Sequence, residues 1–332
     1  MPKKISVAIV GSGVMGGIHG KIAQQSGAAS VNYVVDADLA KAQKCADLHR
    51  ATALRSIGEL AGKNVNLAFV CVPNNHHARV AIELLNLKLD VFCEKPLATS
   101  AADARLMIEA AQVNDRRLFV GHNRRFAPVY LAAKEAVRGK YFSPQSINMI
   151  QNDGDMGGEG SLWAANFAQL GGFLYDTTIH FLDMAEFLLG PIASISALSR
   201  SCCYPVNDNF TIHMQFRDSG SGVISSCGHA SWIFPFERVQ VVGDHQAVIT
   251  EELDEYRHCP GLSRAIDGKT YAKLAFEEKW GYVAMHTHMY DALASGGKAI
   301  HDARIGLRAV ELVEACQKSA TSQGAFIDVA PA

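Results

Sequence analysis

Three glycines in Gly11-Ser12-Gly13-Val14-Met15-Gly16 follow the strand-like Ile5-Ser6-Val7-Ala8-Ile9-Val10 and open a helical stretch. A dinucleotide phosphate needs that context. Gly11 allows the tight turn, and Gly13 lets backbone amides approach a pyrophosphate. Gly16 lets the helix pack close to the sheet, with its positive end aimed at the phosphates. Twenty residues beyond Gly16, Asp36 ends a second strand, where a carboxylate accepts the ribose hydroxyls of an adenosine. Ala37 and Asp38 follow, with no arginine for a 2′-phosphate, so the pattern favours NAD over NADP. A bare glycine loop and a solvated strand-end acid are the alternatives; the agreement of strand, helix and acid weighs against both.

Two further groups could handle protons. Phe92-Cys93-Glu94-Lys95-Pro96 carries a lysine to the carboxyl edge of a strand, where open α/β sheets bind ligands. An exposed, solvating lysine fits these residues equally well. Asp176 and His180 are four apart in a helical stretch and share one face, with Asp183 three residues beyond. A carboxylate beside an imidazole can orient a general base and stabilise its cation. A capping or salt-bridged aspartate beside a core histidine fits the same spacing, and on these residues alone carries more weight.

The elements that must position these groups change character near residue 122. Strands are predicted at Ile5–Val10, Val31–Val35, Leu67–Val72, Val91–Cys93 and Leu118–Val120. Helices alternate with them at Met15–Gln25, Leu39–His49, His77–Leu87 and Ala101–Gln112. The alternation predicts an α/β Rossmann domain, a doubly wound parallel sheet, over residues 1–122. Beyond it come a helix from Phe126 to Val137, a strand from Ser146 to Gln151, a Gly- and Asp-rich loop from Asn152, and a helix from Phe173 to Leu189 that stops at Gly190-Pro191. Strand-like runs follow at Ile192–Arg200, Asn209–Phe216, Gly222–Cys227, Glu237–Val242 and Ala247–Glu251, then helices at Tyr282–Ala294 and Ile305–Ser319. Residues 123–332 thus read as an α+β domain with a large, mainly antiparallel open sheet, one face under helices and the other free for substrate or a subunit. An apolar free face would favour a homodimer or homotetramer.

Composition excludes several classes. The chain has 332 residues, 48% hydrophobic and 19% charged, which rules out wholesale disorder. The net charge of −2 is not gathered into a basic block, so no nucleic-acid partner is expected. No apolar run approaches the ~18 residues of a membrane span, and the run after Met1-Pro2-Lys3-Lys4 is too short for a secretory signal; the chain reads as cytoplasmic. Eight cysteines form no C-x-x-C pair, and His286 and His288 diverge on a helix, so no metal is expected.

The whole pattern resembles the Gfo/Idh/MocA family of oxidoreductases, which includes glucose–fructose oxidoreductase and inositol dehydrogenases. The resemblance covers nearly the whole chain. It rests on Gly11-x-Gly13-x-x-Gly16-x-x-His19, Val34-Val35-Asp36 and Pro73-Asn74-Asn75-His76-His77. It rests also on Glu94-Lys95-Pro96, Gly121-His122-Asn123-Arg124-Arg125-Phe126 and Asp176-x-x-x-His180. The family often carries three glycines before the catalytic helix, where this chain has Gly171-Gly172-Phe173. The resemblance implies an NAD-dependent dehydrogenase that oxidises a secondary hydroxyl of a cyclitol or sugar by reversible hydride transfer, with substrate held between the domains. It implies cofactor contacts from Gly11, Gly13, Val14, Met15, Gly16, Asp36, Val72, Pro73, Asn74, His77, Glu94 and Lys95. Lys95 would polarise the reacting oxygen, His180 would be the general acid/base, and Asp176 would orient the substrate or His180. Asn123 and Trp163 fall in regions that face nicotinamide and substrate. Arg124 and Arg125 could meet an anionic substrate group, although a structural role has the greater weight for both. His229, Trp232 and Tyr282 are further pocket candidates. A redox-neutral glycosidase that retains NAD and a non-catalytic NAD-binding sensor are the competing readings.

Overall fold

Ile5–Val10 (β1) is enclosed along its length after Ile5, as expected of a strand covered on both faces. It joins Ala29–Val35 (β2), Thr52–Leu54 (β3), Leu67–Val70 (β4), Asp90–Cys93 (β5) and Leu118–Val120 (β6) in an all-parallel sheet of order β3-β2-β1-β4-β5-β6. Parallel neighbours need crossovers. Val14–Gln25 (α1), Leu39–His49 (α2), His77–Asn86 (α3) and Ala101–Val113 (α4) supply four of them. Asp38 starts α2 by accepting the Ala40 and Lys41 amides at 3.0 and 3.2 Å, and Ser100 starts α4 by accepting the Asp103 amide at 3.1 Å. Strand order reverses between β1 and β4, which is where a doubly wound sheet binds its ligand. The loops after β1, β2, β4 and β5 hold Gly11, Asp36, Asn74 and Lys95 respectively.

The chain is described here from a computed structural model covering residues 4–153, 170–230, 234–262 and 265–331. It divides into two compact units, residues 1–122 with 282–307, and residues 123–281 with 308–332.

In the second unit a nine-stranded sheet is built from Ser146–Asn152 (β7), Ile192–Arg200 (β8), Asn209–Phe216 (β9), Ser221–Cys227 (β10), Glu237–Gly243 (β11), Gln246–Glu251 (β12), Glu255–Cys259 (β13), Asp267–Thr270 (β14) and Ile327–Asp328 (β15). Its order is β14-β13-β12-β11-β7-β10-β9-β8-β15, antiparallel throughout except where β7 meets β10. Register sorts the side chains by face. Ala197, Ile212, Ile224, Met149, Val239 and Thr250 form one row across β8-β9-β10-β7-β11-β12, and all are buried. One residue along the strands lies the row Leu198, Thr211, Ser225, Ile150, Arg238 and Glu251, which is open to solvent apart from the half-buried Glu251. Helices Pro128–Val137 (α5) and Ile179–Leu189 (α6) belong to this unit, and α5 packs on β12 and β13. At the end of α6, Gly190 adopts φ +95°, a conformation that glycine takes without strain.

Two expectations need correction. The stretch Phe173–Leu189 is not one α-helix, because its first turn, Leu174–Thr178, is π-helical. Gly171 and Gly172 lead into it at φ +80° and +96°. The Thr177 hydroxyl then donates to Asp153 at 2.8 Å, and Thr178 and Ser226 share a bond at 2.8 Å; these side-chain contacts hold the wider turn. After the short helix Phe276–Lys279 (α7), residues 282–307 leave the second half of the chain and pack with the first unit. The helix Tyr282–Ser295 (α8) is tied there by a bond between His286 and His19, and Arg117 bonds the carbonyls of Ala292 and Gly297. The last helix, Ala303–Thr321 (α9), carries Arg308, whose guanidinium bonds Glu186 of α6 and the carbonyls of Ile192 and Ala330.

Candidate active site

The turn after β1 is shaped by what it excludes. A Cβ on Gly11, at φ +96°, would lie 2.4 Å from the Cys71 carbonyl oxygen, and one on Gly16 would lie 2.1 Å from the Gly11 carbonyl oxygen. Gly13 is different. Nothing stands within 4 Å of where its Cβ would be, so its bareness leaves open space in front of α1. Gly13 is also the N-cap, and no side chain caps the α1 amides. The helix therefore presents unsatisfied N–H groups and the positive end of its dipole to that space, with Val14 exposed and Met15 half-buried beside it. This is the donor set a pyrophosphate requires.

Asp36 sits beside the turn and is held by it. Its Oδ2 accepts the Ser12 amide at 3.0 Å and the Ser12 hydroxyl at 2.7 Å, while Oδ1 accepts the Asp38 amide at 3.0 Å. Burial works to raise its pKa, but these bonds and the charge of Lys41 outweigh that and hold the carboxyl below its ordinary value. Asp36 is thus ionised at neutral pH, with lone pairs left for hydroxyl donors. A phosphate in the same place would face Asp36 and Asp38 together. The residues present fit NAD.

One expected outcome follows. Asp36→Ala removes one or two bonds to a charged acceptor, each worth about 1.5–3 kcal/mol. The NAD dissociation constant should rise about tenfold or more, measured by fluorescence titration, with a smaller loss for NADP. Equal losses for both cofactors would mean that Asp36 only braces the turn.

The loops after β4 and β5 are locked together. His77 is fully buried, and its ring nitrogens lie 2.7 Å from the Pro96 carbonyl and 2.9 Å from the Val72 carbonyl. Burial lowers its pKa, against the pull of those two carbonyls. His77 is therefore a brace between the two loops; Asn74 is also buried, while Pro73 is exposed. Glu94 is buried and accepts the Lys95 amide at 3.0 Å. Lys95, half-buried, thus has its own amide held by Glu94 and the next carbonyl, that of Pro96, held by His77.

In the second unit, Asp176 lies half-buried on the π-turn and His180 is buried on the first turn of α6. Asp183, three residues on, is buried as well. Arg125 grips it with Nε at 2.8 and 3.0 Å and Nη2 at 2.7 Å. Arg124 is 3% exposed, is paired with Glu237 at 3.2 Å and lies 4.1 Å from the Trp280 ring, so its charge is already matched inside the unit. Both arginines are thus paired with carboxylates of their own unit. The Asn123 amide donates to the Trp280 carbonyl at 2.8 Å. Tyr282 meets the His19 ring edge-on in the first unit, and His229 is exposed. Trp163 and Trp232 lie outside the described residues.

Sequence reasoning missed the partners of the buried charges, and it passed over one cluster. Cys202, Asp208 and His229 offer ligand atoms within 4.8 Å of one another, although Asp208 already accepts three backbone amides, from Cys202, Cys203 and Tyr204. No helix among the described residues is long and apolar enough to cross a membrane.

Comparison with known proteins agrees with this geometry. Residues 5–122 match the oxidoreductase family's NAD-binding Rossmann fold, and residues 149–327 match its C-terminal alpha/beta domain. The chain is 25% identical over 256 residues to an inositol 2-dehydrogenase of Rhizobium meliloti, covering 74% of this chain and 76% of that protein. It is 29% identical over 201 residues to a myo-inositol 2-dehydrogenase of Thermotoga maritima, covering 58% of each. The structure of levoglucosan dehydrogenase in complex with NADH and levoglucosan shares the fold, with a TM-score of 0.90 at 17% identity, over 99% of this chain and all of that one. A glycine turn that bares the α1 amides, an aspartate held beside it and family matches across both halves lead to one assignment: the chain belongs to the Gfo/Idh/MocA family and is an NAD-dependent oxidoreductase.

Proposed function

We propose that this protein oxidises a secondary hydroxyl of a cyclitol, inositol-like, or of a sugar, reversibly and in the cytoplasm. The observation that carries the reading is Lys95. Its amine leaves a loop braced by Glu94 and His77, at the carboxyl edge of the same sheet whose first turn is built for NAD. The names of the relatives, inositol 2-dehydrogenases, support the polyol class.

Gly11, Gly13, Val14, Met15, Gly16 and Asp36 would hold the cofactor, with Val72, Pro73 and Asn74 flanking it and Glu94 and His77 supporting from behind. When bound, NAD accepts a hydride from the carbinol carbon. The protein does the rest. Lys95 donates a charged hydrogen bond to the reacting oxygen and stabilises the negative charge that develops there. His180 takes the hydroxyl proton, and Asp176 orients a neighbouring hydroxyl or the imidazole. Asn123 and Trp163 are assigned to the substrate's surroundings. Residues 1–122 serve NAD, and the nine-stranded unit serves substrate and assembly. On that unit's open face Leu198, Ile150 and Val223 are 59%, 40% and 38% exposed, which supports a homodimer or homotetramer.

The test is NADH formation on inositols, free sugars, sugar phosphates and sugar acids, with NADP in parallel. Turnover with NAD on polyols or sugars supports the reading. Release of sugar from glycosides with no NADH accumulating would replace it with a redox-neutral hydrolase. NAD binding with no chemistry on any compound would replace it with a sensor.

A further inference from the structure

Behind Lys95, in the interior of the first unit, four ionisable side chains stand in a line. Glu94 Oε1 lies 2.6 Å from His19 Nε2, His19 Nδ1 lies 2.7 Å from His286 Nε2, and His286 Nδ1 lies 3.1 Å from the Tyr290 hydroxyl. All four are 6% exposed or less. The two imidazoles are almost coplanar, at 10°, and Phe69 stacks on both. The other end of the line is the Lys95 backbone, because Glu94 Oε2 accepts its amide at 3.0 Å. Gly121 closes the space around the carboxylate, since a Cβ there would come within 3.0 Å of it.

Chemistry limits how protons can be arranged along this line. Burial lowers the pKa of His286 well below its ordinary value, helped by His19 and His301, so His286 is neutral and carries one ring proton. Burial pushes the Tyr290 hydroxyl up, so it keeps its proton. Burial also works to raise Glu94, but the bond and charge of His19 and the charge of Lys95 outweigh it, and the carboxyl is held below its ordinary value. Two proton orders satisfy every ring nitrogen. Either Tyr290 donates to His286, His286 to His19 and His19 to Glu94, or a charged His19 donates to both Glu94 and His286, whose remaining N–H faces Tyr290. Glu94 is an ionised acceptor in both, with its orientation fixed by His19.

We propose that His19, His286 and Tyr290 are positioning residues for Lys95, acting through Glu94: they fix the carboxylate that holds the lysine's backbone amide and so set the direction in which its side chain leaves the loop. The proposal deepens the dehydrogenase reading and rests on it for its kinetic consequence. A purely structural role makes a different forecast. Deleting one member of the line would then lower stability by leaving buried partners unbonded, with kcat and Lys95 labelling unchanged.

The decisive variant is His286→Phe, which keeps a ring on Phe69 and deletes both bonds. It leaves His19 and the Tyr290 hydroxyl each short of one buried bond, so it should fold with a melting temperature lowered by a few degrees and bind NAD as before. Its kcat should fall about tenfold with little change in substrate KM, a size consistent with a sub-ångström misplacement of a catalytic group. His286→Gln, which can again donate to His19, should recover much of the loss. A second readout needs no turnover. In cofactor-free protein, reductive methylation of Lys95, normalised to the exposed Lys41, should be faster in His286→Phe than in wild type, because the loop that holds its half-buried side chain is loosened. Wild-type kcat and wild-type Lys95 labelling in a folded His286→Phe would overturn the proposal. If that variant does not fold, Tyr290→Phe and Glu94→Gln carry the same two readouts. If the wild-type protein oxidises no polyol, the functional reading fails by itself, and labelling alone decides the positioning claim: faster labelling sustains it and unchanged labelling ends it.

Discussion

Alanine at His180 or at Lys95 lowers turnover by about 10²–10⁴-fold while NAD still binds. The two losses have different origins. His180 is 8% exposed on the first turn of α6, so its imidazole is fixed by the helix and cannot be replaced by bulk water without loss of proton-transfer geometry. Lys95 has the carboxylate of Glu94 on its amide, and in the proposed mechanism its amine supplies the positive charge against a developing alkoxide. Neither residue belongs to the glycine turn or to Asp36, so the cofactor's dissociation constant should move by less than about twofold in both variants. Steady-state rates and fluorescence titration with NAD check the two halves of the expectation. Near-normal turnover in either variant removes that residue from the mechanism, and lost NAD binding would move Lys95 from substrate to cofactor.

The largest stability effect is expected at Glu237, which is 1% exposed on β11. Its Oε2 takes the Arg124 guanidinium at 3.2 and 3.3 Å, and its Oε1 accepts the Tyr130 hydroxyl at 2.9 Å. Arg124 has aromatic rings around it, Trp280 at 4.1 Å and Phe236 at 6.0 Å, and these attract a cation without neutralising it. Glu237→Ala therefore strands a buried charge and takes the acceptor from the Tyr130 hydroxyl. Breaking such a pair costs about 3–5 kcal/mol. Chemical denaturation followed by tryptophan fluorescence, with Trp280 as the local reporter, should show the second unit unfolding at much lower denaturant. Replacing the whole cluster, Arg124→Met with Glu237→Leu and Tyr130→Phe, should recover most of the loss, because no charge is then left unmatched. If Glu237→Ala were as stable as wild type, Arg124 would have another acceptor and the cluster would not anchor this unit.

Local sequence carried most of the first sheet. β1 and β6 match their predicted residues, and α2 matches end to end, because apolar runs, caps and the glycine turn are all short-range signals. Three of the four strands that escaped were edges. Thr52–Leu54 is three residues long, Asp267–Thr270 is exposed throughout, and Ile327–Asp328 is two residues, so none has a readable apolar period. The fourth, Glu255–Cys259, lies one strand in from an edge and mixes polar residues with a single buried tyrosine. The π-turn escaped because its cause lies in Asp153 and Ser226, partners distant in sequence from Thr177 and Thr178. At the candidate site the residue types were legible and the pairings were not. Nothing local paired Asp183 with Arg125, 58 residues away, and His286 carried no signal that it meets His19, 267 residues away. The return of residues 282–307 to the first unit is the same failure at larger scale, since a contact made across most of the chain leaves no local pattern.

The central claim is that this chain takes hydrogen from the carbinol carbon of a polyol and places it on NAD. The most direct measurement is to supply carbon-deuterated inositols and sugars with NAD and to weigh the recovered cofactor by mass spectrometry, for wild type and His180→Ala. Deuterium in the reduced cofactor from wild type, with far less formed by His180→Ala in the same time, is the predicted result. Product formed with no deuterium in the cofactor would contradict it.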